Sequence, residues 1–116
     1  MTKRRASDLD LLHGTLDLLI LRTLQDVPRH GWAISDRLQQ ISEDVLQVNQ
    51  GSLYPALHRL EHRGLLAPEW RASETGREAK YYRLTRAGRK QVEKETREWA
   101  RTTDILARFL APGEGS

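Results

Sequence analysis

From Thr85 to Leu110 the chain reads as one long helix, and no other feature constrains its fold as strongly. Thr85 suits an N-cap, and Pro112, Gly113 and Gly115 stop the helix. At the α-helical rise it spans about 38 Å, which outruns what one small domain covers. Val92, Trp99 and Leu106 repeat at seven-residue spacing, with Thr103, Phe109 and Leu110 beside them. This weak heptad seam predicts packing against another helix, so residues 85–110 read as a dimerisation helix.

A second segment points the same way. Leu16, Leu19, Ile20 and Leu24 recur at helical spacing, and Leu18 and Leu21 widen the stripe until only Asp17 and Arg22 break it. A helix apolar on nearly all sides needs burial on nearly all sides. A chain of 116 residues rarely supplies that alone, so Leu12, Leu16 and Leu19 join Val92, Trp99, Leu106 and Phe109 as expected dimer-interface residues.

Pro28 and Gly31 end the first helix and start the next, which turns Ile34, Leu38 and Ile41 to one face. Residues 45–48 form a short apolar patch, a brief strand or an extended turn. Asn49 caps a third helix, with Leu53, Leu57 and Leu60 inward and Gly64 at its end. Pro55 removes one backbone hydrogen bond early in that helix and is expected to bend it rather than break it. Residues 65–70 and 79–84 read as two strands around a polar tip, Ala72–Arg77, expected to be mobile. The fold class is therefore mainly α with a small β-hairpin. Residues 11–84 form a winged helix-turn-helix, 85–110 the dimerisation helix, 1–10 a flexible arm and 111–116 a flexible tail.

Composition narrows the function classes. Without cysteine there is no disulfide, thiolate zinc site or cysteine nucleophile. The longest apolar run, Leu18–Leu21, is far below the ~20 residues of a membrane span. The basic start, with Lys3, Arg4 and Arg5, is not followed by the apolar stretch of a signal peptide. A soluble, cytoplasmic protein without membrane contact is expected. The net charge of +3 and isoelectric point near 9.6 are compatible with nucleic acid without demanding it.

The placement of charge is more telling. Three short helices followed by a hairpin are the parts of a winged helix-turn-helix, whose third helix enters the major groove of DNA. Here the third helix offers Gln50, Ser52, Tyr54, Pro55, His58 and Arg59 on its outer side. Amides, hydroxyls and an arginine there suit phosphates and base edges. The hairpin and the start of the last helix carry Arg71, Arg77, Lys80, Arg83, Arg86, Arg89 and Lys90, interleaved with Tyr81 and Tyr82 and diluted by Glu74 and Glu78. A solvated hairpin would explain the charge run alone; with the helix order, double-stranded DNA is the expected partner. Arg71, Arg77, Lys80 and Tyr82 complete the candidate DNA-binding set.

Four segments resemble the PadR family of bacterial transcriptional regulators: Leu12–Leu16, His30–Trp32, Asn49–Glu61 and Lys80–Thr85. The single C-terminal helix is similar to that of the smaller subfamily. The resemblance implies a homodimer that represses promoters from a pseudo-palindromic operator, in some members released by a small aromatic effector. It places Tyr54 and Lys80 where family members usually meet the DNA backbone, and Trp99 where one branch stacks planar ligands. Trp99 is thus the candidate effector-binding residue, although simple packing at the seam explains it as well.

Other readings are weaker. His58-Arg59-Leu60-Glu61-His62 fits the H-x-x-E-H zinc pattern, but a third ligand would have to come from a larger downstream domain. No metal, other cofactor or catalytic set is expected. His13 and His30 read as structural or capping groups, and Trp32 and Trp70 as core or edge packing. Winged helices also serve as protein-interaction modules; the basic hairpin is what separates the two readings.

Overall fold

The computed structural model describes residues 15–113. The arm, Leu12, His13 and the last three residues of the tail lie outside the described residues. Helix α1 covers 15–23, followed by strand β1 (Arg29–His30), α2 (Gly31–Ile41), α3 (Gln50–His62), β2 (Leu66–Ala72), β3 (Glu78–Leu84) and α4 (Arg86–Leu110). The strands form an antiparallel sheet in the order β1-β3-β2. Two-residue β1 was not anticipated: it pairs Arg29 with Tyr82 and His30 with Tyr81, tying the α1–α2 connection to the hairpin.

Three of the helix starts are fixed by a side chain accepting from the first turn, where backbone N–H groups lack partners. His30 accepts from the Ala33 N–H, so it is a cap, as the sequence suggested. Asn49 accepts from Ser52 N–H at 2.9 Å, and Thr85 from Gly88 N–H at 3.0 Å. Pro55 sits in the uninterrupted α3. Gly64 follows that helix at φ +78°, a left-handed conformation that favours glycine.

The core gathers Ile20, Leu21 and Leu24 from α1 and its end, Ile34 and Leu38 from α2, Leu53, Leu57 and Leu60 from α3, Leu66, Tyr82 and Leu84 from the sheet, and Val92 from α4. This corrects part of the sequence reading. Leu16 is already buried within one chain and Leu19 packs against the same core, so the broad apolar stripe of α1 does not require a partner subunit. Val92 is fully buried in that core, early in α4, and so lies outside any seam farther along the helix. Ile41, the last residue of α2, is exposed although it continues the spacing of Ile34 and Leu38. Residues 45–48 form no strand: a turn over 42–44 leads through them to α3 without regular structure.

Where α4 joins the domain, the packing is tight. The Thr85 hydroxyl donates to the Gly64 carbonyl at 2.7 Å, and the Thr85 N–H donates to the Leu65 carbonyl at 3.1 Å. A Cβ on Gly88 would sit 2.1 Å from the Leu65 oxygen, so only glycine lets α4 lie against the entry to β2. Beyond Thr96 the helix leaves the domain, and every residue from 97 to 110 is exposed. The chain measures 60 × 38 × 22 Å as a result.

Candidate nucleic-acid interface

The buried side of α3 is Leu53, Ala56, Leu57 and Leu60, at helical spacing, and this turns Gln50, Tyr54, Pro55, His58 and Arg59 to the surface, with Ser52 half-buried. The expected recognition face is thus a single continuous surface. Arg59 is already engaged there: its guanidinium meets Asp17 of α1 at 2.8 Å, and Arg63 approaches the same carboxylate at 3.8 Å. Exposed pairs like these contribute at most about 1 kcal/mol, so a phosphate can exchange for the carboxylate.

The hairpin divides the basic residues between two faces, because side chains alternate along a strand. Leu66 and Leu84 face the core. Continuing in steps of two, the same face carries Pro68 opposite Tyr82, then Trp70 opposite Lys80. The other face carries Glu69, Tyr81, Arg71 and Arg83. There the Arg71 guanidinium lies 4.3 Å from the Tyr81 ring centroid, and Glu69 pairs with both Arg71 (3.7 Å) and Arg83 (3.6 Å). Lys80 is therefore on the α3 side of the wing and Arg71 on its back. Tyr82 is buried, so its ring forms the floor below Lys80 rather than an exposed contact. Arg77 is exposed at the tip. Two hydrogen bonds span the tip: Ser73 N–H donates to the Arg77 carbonyl at 2.7 Å, and Gly76 N–H to the Ser73 carbonyl at 2.9 Å.

Between the wing and the start of α2, with Tyr54 of α3 beside it, runs a groove of about 780 Å³ whose lining includes Trp32, Trp70, Lys80 and Arg77 together with Glu74 and Glu78. Lys80 Nζ lies 3.2 Å from Glu61 Oε1, a contact that ties wing to helix. Burial pulls the Lys80 ammonium down, but Glu61 and Tyr82 outweigh it and hold the group above its ordinary value of 10.5. Burial pushes the Tyr82 phenol above its ordinary value of 10.0, against the pull of Lys80. Tyr54 lies across the first turn of α2, where a Cβ on Gly31 would meet its ring carbons and hydroxyl at 2.5–2.9 Å.

Trp32 and Trp70 overturn a sequence expectation. They are 66% and 63% exposed, neither core nor packed edge. An indole left in water forgoes roughly 2 kcal/mol or more of burial. The pattern carried the signal: Trp32 precedes Ile34 by two and so falls off the Ile34–Leu38 face, and Trp70 continues the inward face of β2 past the end of the core. His58 and His62 are exposed on α3 while Glu61 faces Lys80; no group of side chains able to hold a metal occurs among the described residues.

On the projecting part of α4, Trp99, Leu106, Phe109 and Leu110 are exposed, the last two at 82% and 76%. Their spacing puts them along one stripe with Thr103 between. No helix of the described residues is long and apolar enough to cross a membrane.

A three-helix core and a hairpin wing beside a third helix with an exposed polar face define a winged-helix DNA-binding module. Comparison with known proteins carries this further. The PadR-like family of transcriptional regulators matches residues 20–94. The chain belongs to that family. It is 40% identical over 97 residues to a transcriptional regulator of Mycobacterium tuberculosis, covering 84% of this chain and 83% of that one. A PadR-like transcriptional regulator from Bacillus cereus superimposes with a TM-score of 0.80 at 28% identity, covering 90% of this chain and 99% of the other. A transcriptional regulator from Clostridium thermocellum gives 0.77, also at 28% identity, over 87% and 98%.

Proposed function

We propose that this transcriptional regulator is a repressor that binds a pseudo-palindromic operator as a homodimer. The observation that carries the reading is the pairing of two surfaces: the outward face of α3, with Gln50, Tyr54, Pro55, His58 and Arg59, and the unpartnered stripe of α4, with Trp99, Leu106 and Phe109. The stripe brings two copies together about a two-fold axis. The two α3 helices then enter successive major grooves about 34 Å apart. Gln50, His58 and Arg59 read base edges, while Ser52, Tyr54 and Lys80 hold phosphates. Arg77 at the tip reaches the backbone and the adjacent minor groove. Occupation of the promoter excludes RNA polymerase.

Release is proposed to follow binding of a small aromatic molecule at Trp99, whose indole offers a broad flat face on the seam. Emission from Trp99 in a Trp32→Phe, Trp70→Phe variant, unchanged by planar cations and phenols, would remove that part alone.

The test of the whole reading is fluorescence anisotropy with the protein's own upstream DNA and a scrambled duplex at two salt concentrations. Preference for the upstream duplex, weakening with salt at a log–log slope of about 0.9 per neutralised phosphate, is expected. Absence of binding to either duplex at low salt overturns it.

A further inference from the structure

We infer that Trp32 and Trp70 form an apolar clamp that grips the sugar–phosphate backbone of duplex DNA between the start of α2 and the wing. The inference rests on the DNA-binding reading proposed above and adds two contact residues to it.

Both indoles are more exposed than buried, yet they sit in one groove rather than being scattered over the surface. Each is held by backbone that the fold fixes. Trp32 lies in the first turn of α2, directly after Gly31, against which the Tyr54 ring packs. Trp70 is the cross-strand partner of Lys80, whose ammonium is anchored to Glu61. The walls are aromatic at Trp32, Tyr54 and Trp70, with Lys80 deeper in the groove and Arg77 beside Glu74 and Glu78 toward the tip, so the indoles rather than a net positive charge distinguish it. That combination suits a strand that alternates apolar deoxyribose faces with phosphates. The indole rings cover sugar carbons, and their N–H groups donate to phosphate oxygens.

Duplex DNA is the fitting occupant because the groove meets the outward face of α3 at Tyr54, and Lys80 of the wing is tied to Glu61 of the same helix. A second copy of the chain is less suited, since its candidate surface is the α4 stripe and no α4 residue lines the groove. Contacts to backbone carry no base information, so the clamp strengthens binding to any sequence.

The test uses the full chain and the variants Trp32→Ala and Trp70→Ala, read by anisotropy on upstream and scrambled duplexes across a salt series. Each variant is expected to bind both duplexes about tenfold more weakly, equivalent to ~1.4 kcal/mol. The log–log salt slope stays that of the parent, because no charge is removed. Circular dichroism and melting stay unchanged, since neither ring supports the core. In a Trp99→Phe background, emission from the two indoles shifts on adding DNA and not on raising protein concentration. Variants that bind like a parent that itself binds DNA overturn the clamp and leave the regulator reading intact. Weakened binding to the upstream duplex alone overturns a backbone grip in favour of base reading. An emission shift with protein concentration alone assigns the face to a second copy and overturns it. A parent that binds neither duplex removes both proposals together.

Discussion

Replacing Gly88 by alanine sets two physical effects against each other. In an exposed helix the change would stabilise by about 1 kcal/mol, because alanine is the better helix former. Here the added Cβ would lie 2.1 Å from the Leu65 oxygen, where ordinary contact begins at 3.4 Å, a shortfall of 1.3 Å. The obstacle is backbone, so it cannot rotate aside. Either α4 or the entry to β2 must move, which costs about 1–3 kcal/mol as overpacking. The movement also strains the bonds from Thr85 to the Gly64 and Leu65 carbonyls, each contributing about 1 kcal/mol. The net loss is about 2–4 kcal/mol, equivalent to a fall of at least about 8 °C in melting temperature. Thermal and urea unfolding by circular dichroism would measure it, with exposed Ala87→Gly as a control expected to lose no more than about 1 kcal/mol. A Gly88→Ala protein as stable as the parent, or more so, would refute the claim that close approach rather than helix propensity governs this position.

Three further outcomes are expected. Gly31→Ala displaces the Tyr54 ring from its seat, so affinity for upstream DNA should fall about tenfold while the melting temperature moves by only a few degrees; equal affinity would show that Tyr54 is not positioned from α2. Leu106→Glu with Phe109→Glu places like charges on the α4 stripe, and analytical ultracentrifugation should find a folded monomer at concentrations where the parent is a dimer; a dimer that survives both changes would place the interface elsewhere. Tyr82 and Lys80 both hold their protons more tightly than usual in the fold, so their contribution is full below about pH 10 and is lost as the pH rises past it. Tyr82→Phe should accordingly lose less melting temperature than the parent between about pH 9 and pH 11, and parallel curves would contradict the assignment.

Much of the architecture was legible because it rests on local signals. Asn49 and Thr85 cap the N–H three residues ahead and Gly64 turns the backbone at its own position, and the Leu53–Leu57–Leu60 spacing fixes which side of α3 is free. What escaped depends on partners distant in sequence. The apolar breadth of α1 suggested a subunit contact, yet the core of a single chain takes up Leu16, Leu18, Ile20 and Leu21. Val92 kept the seven-residue spacing of the seam and still belongs to that core, because periodicity does not reveal where a long helix leaves its domain. Counting charges along the hairpin could not tell Lys80 from Arg71, although strand alternation puts them on opposite faces. The pairing of Arg59 with Asp17 spans 42 positions and has no local signature.

The rigid seat of α4 makes the helix a gauge of distance. With 25 residues it reaches about 37 Å from its root, so a tilt of roughly 5° at Thr85 and Gly88 carries its far end about 3 Å, close to one base-pair step of DNA. Whatever holds that far end therefore feels the angle at which the helix is rooted, at single-step resolution. A root fastened by a glycine with no room for a methyl group, and by a threonine bonded on both sides, leaves little play. A change in the direction in which α4 projects would therefore have to begin at that joint, before any residue farther along the helix.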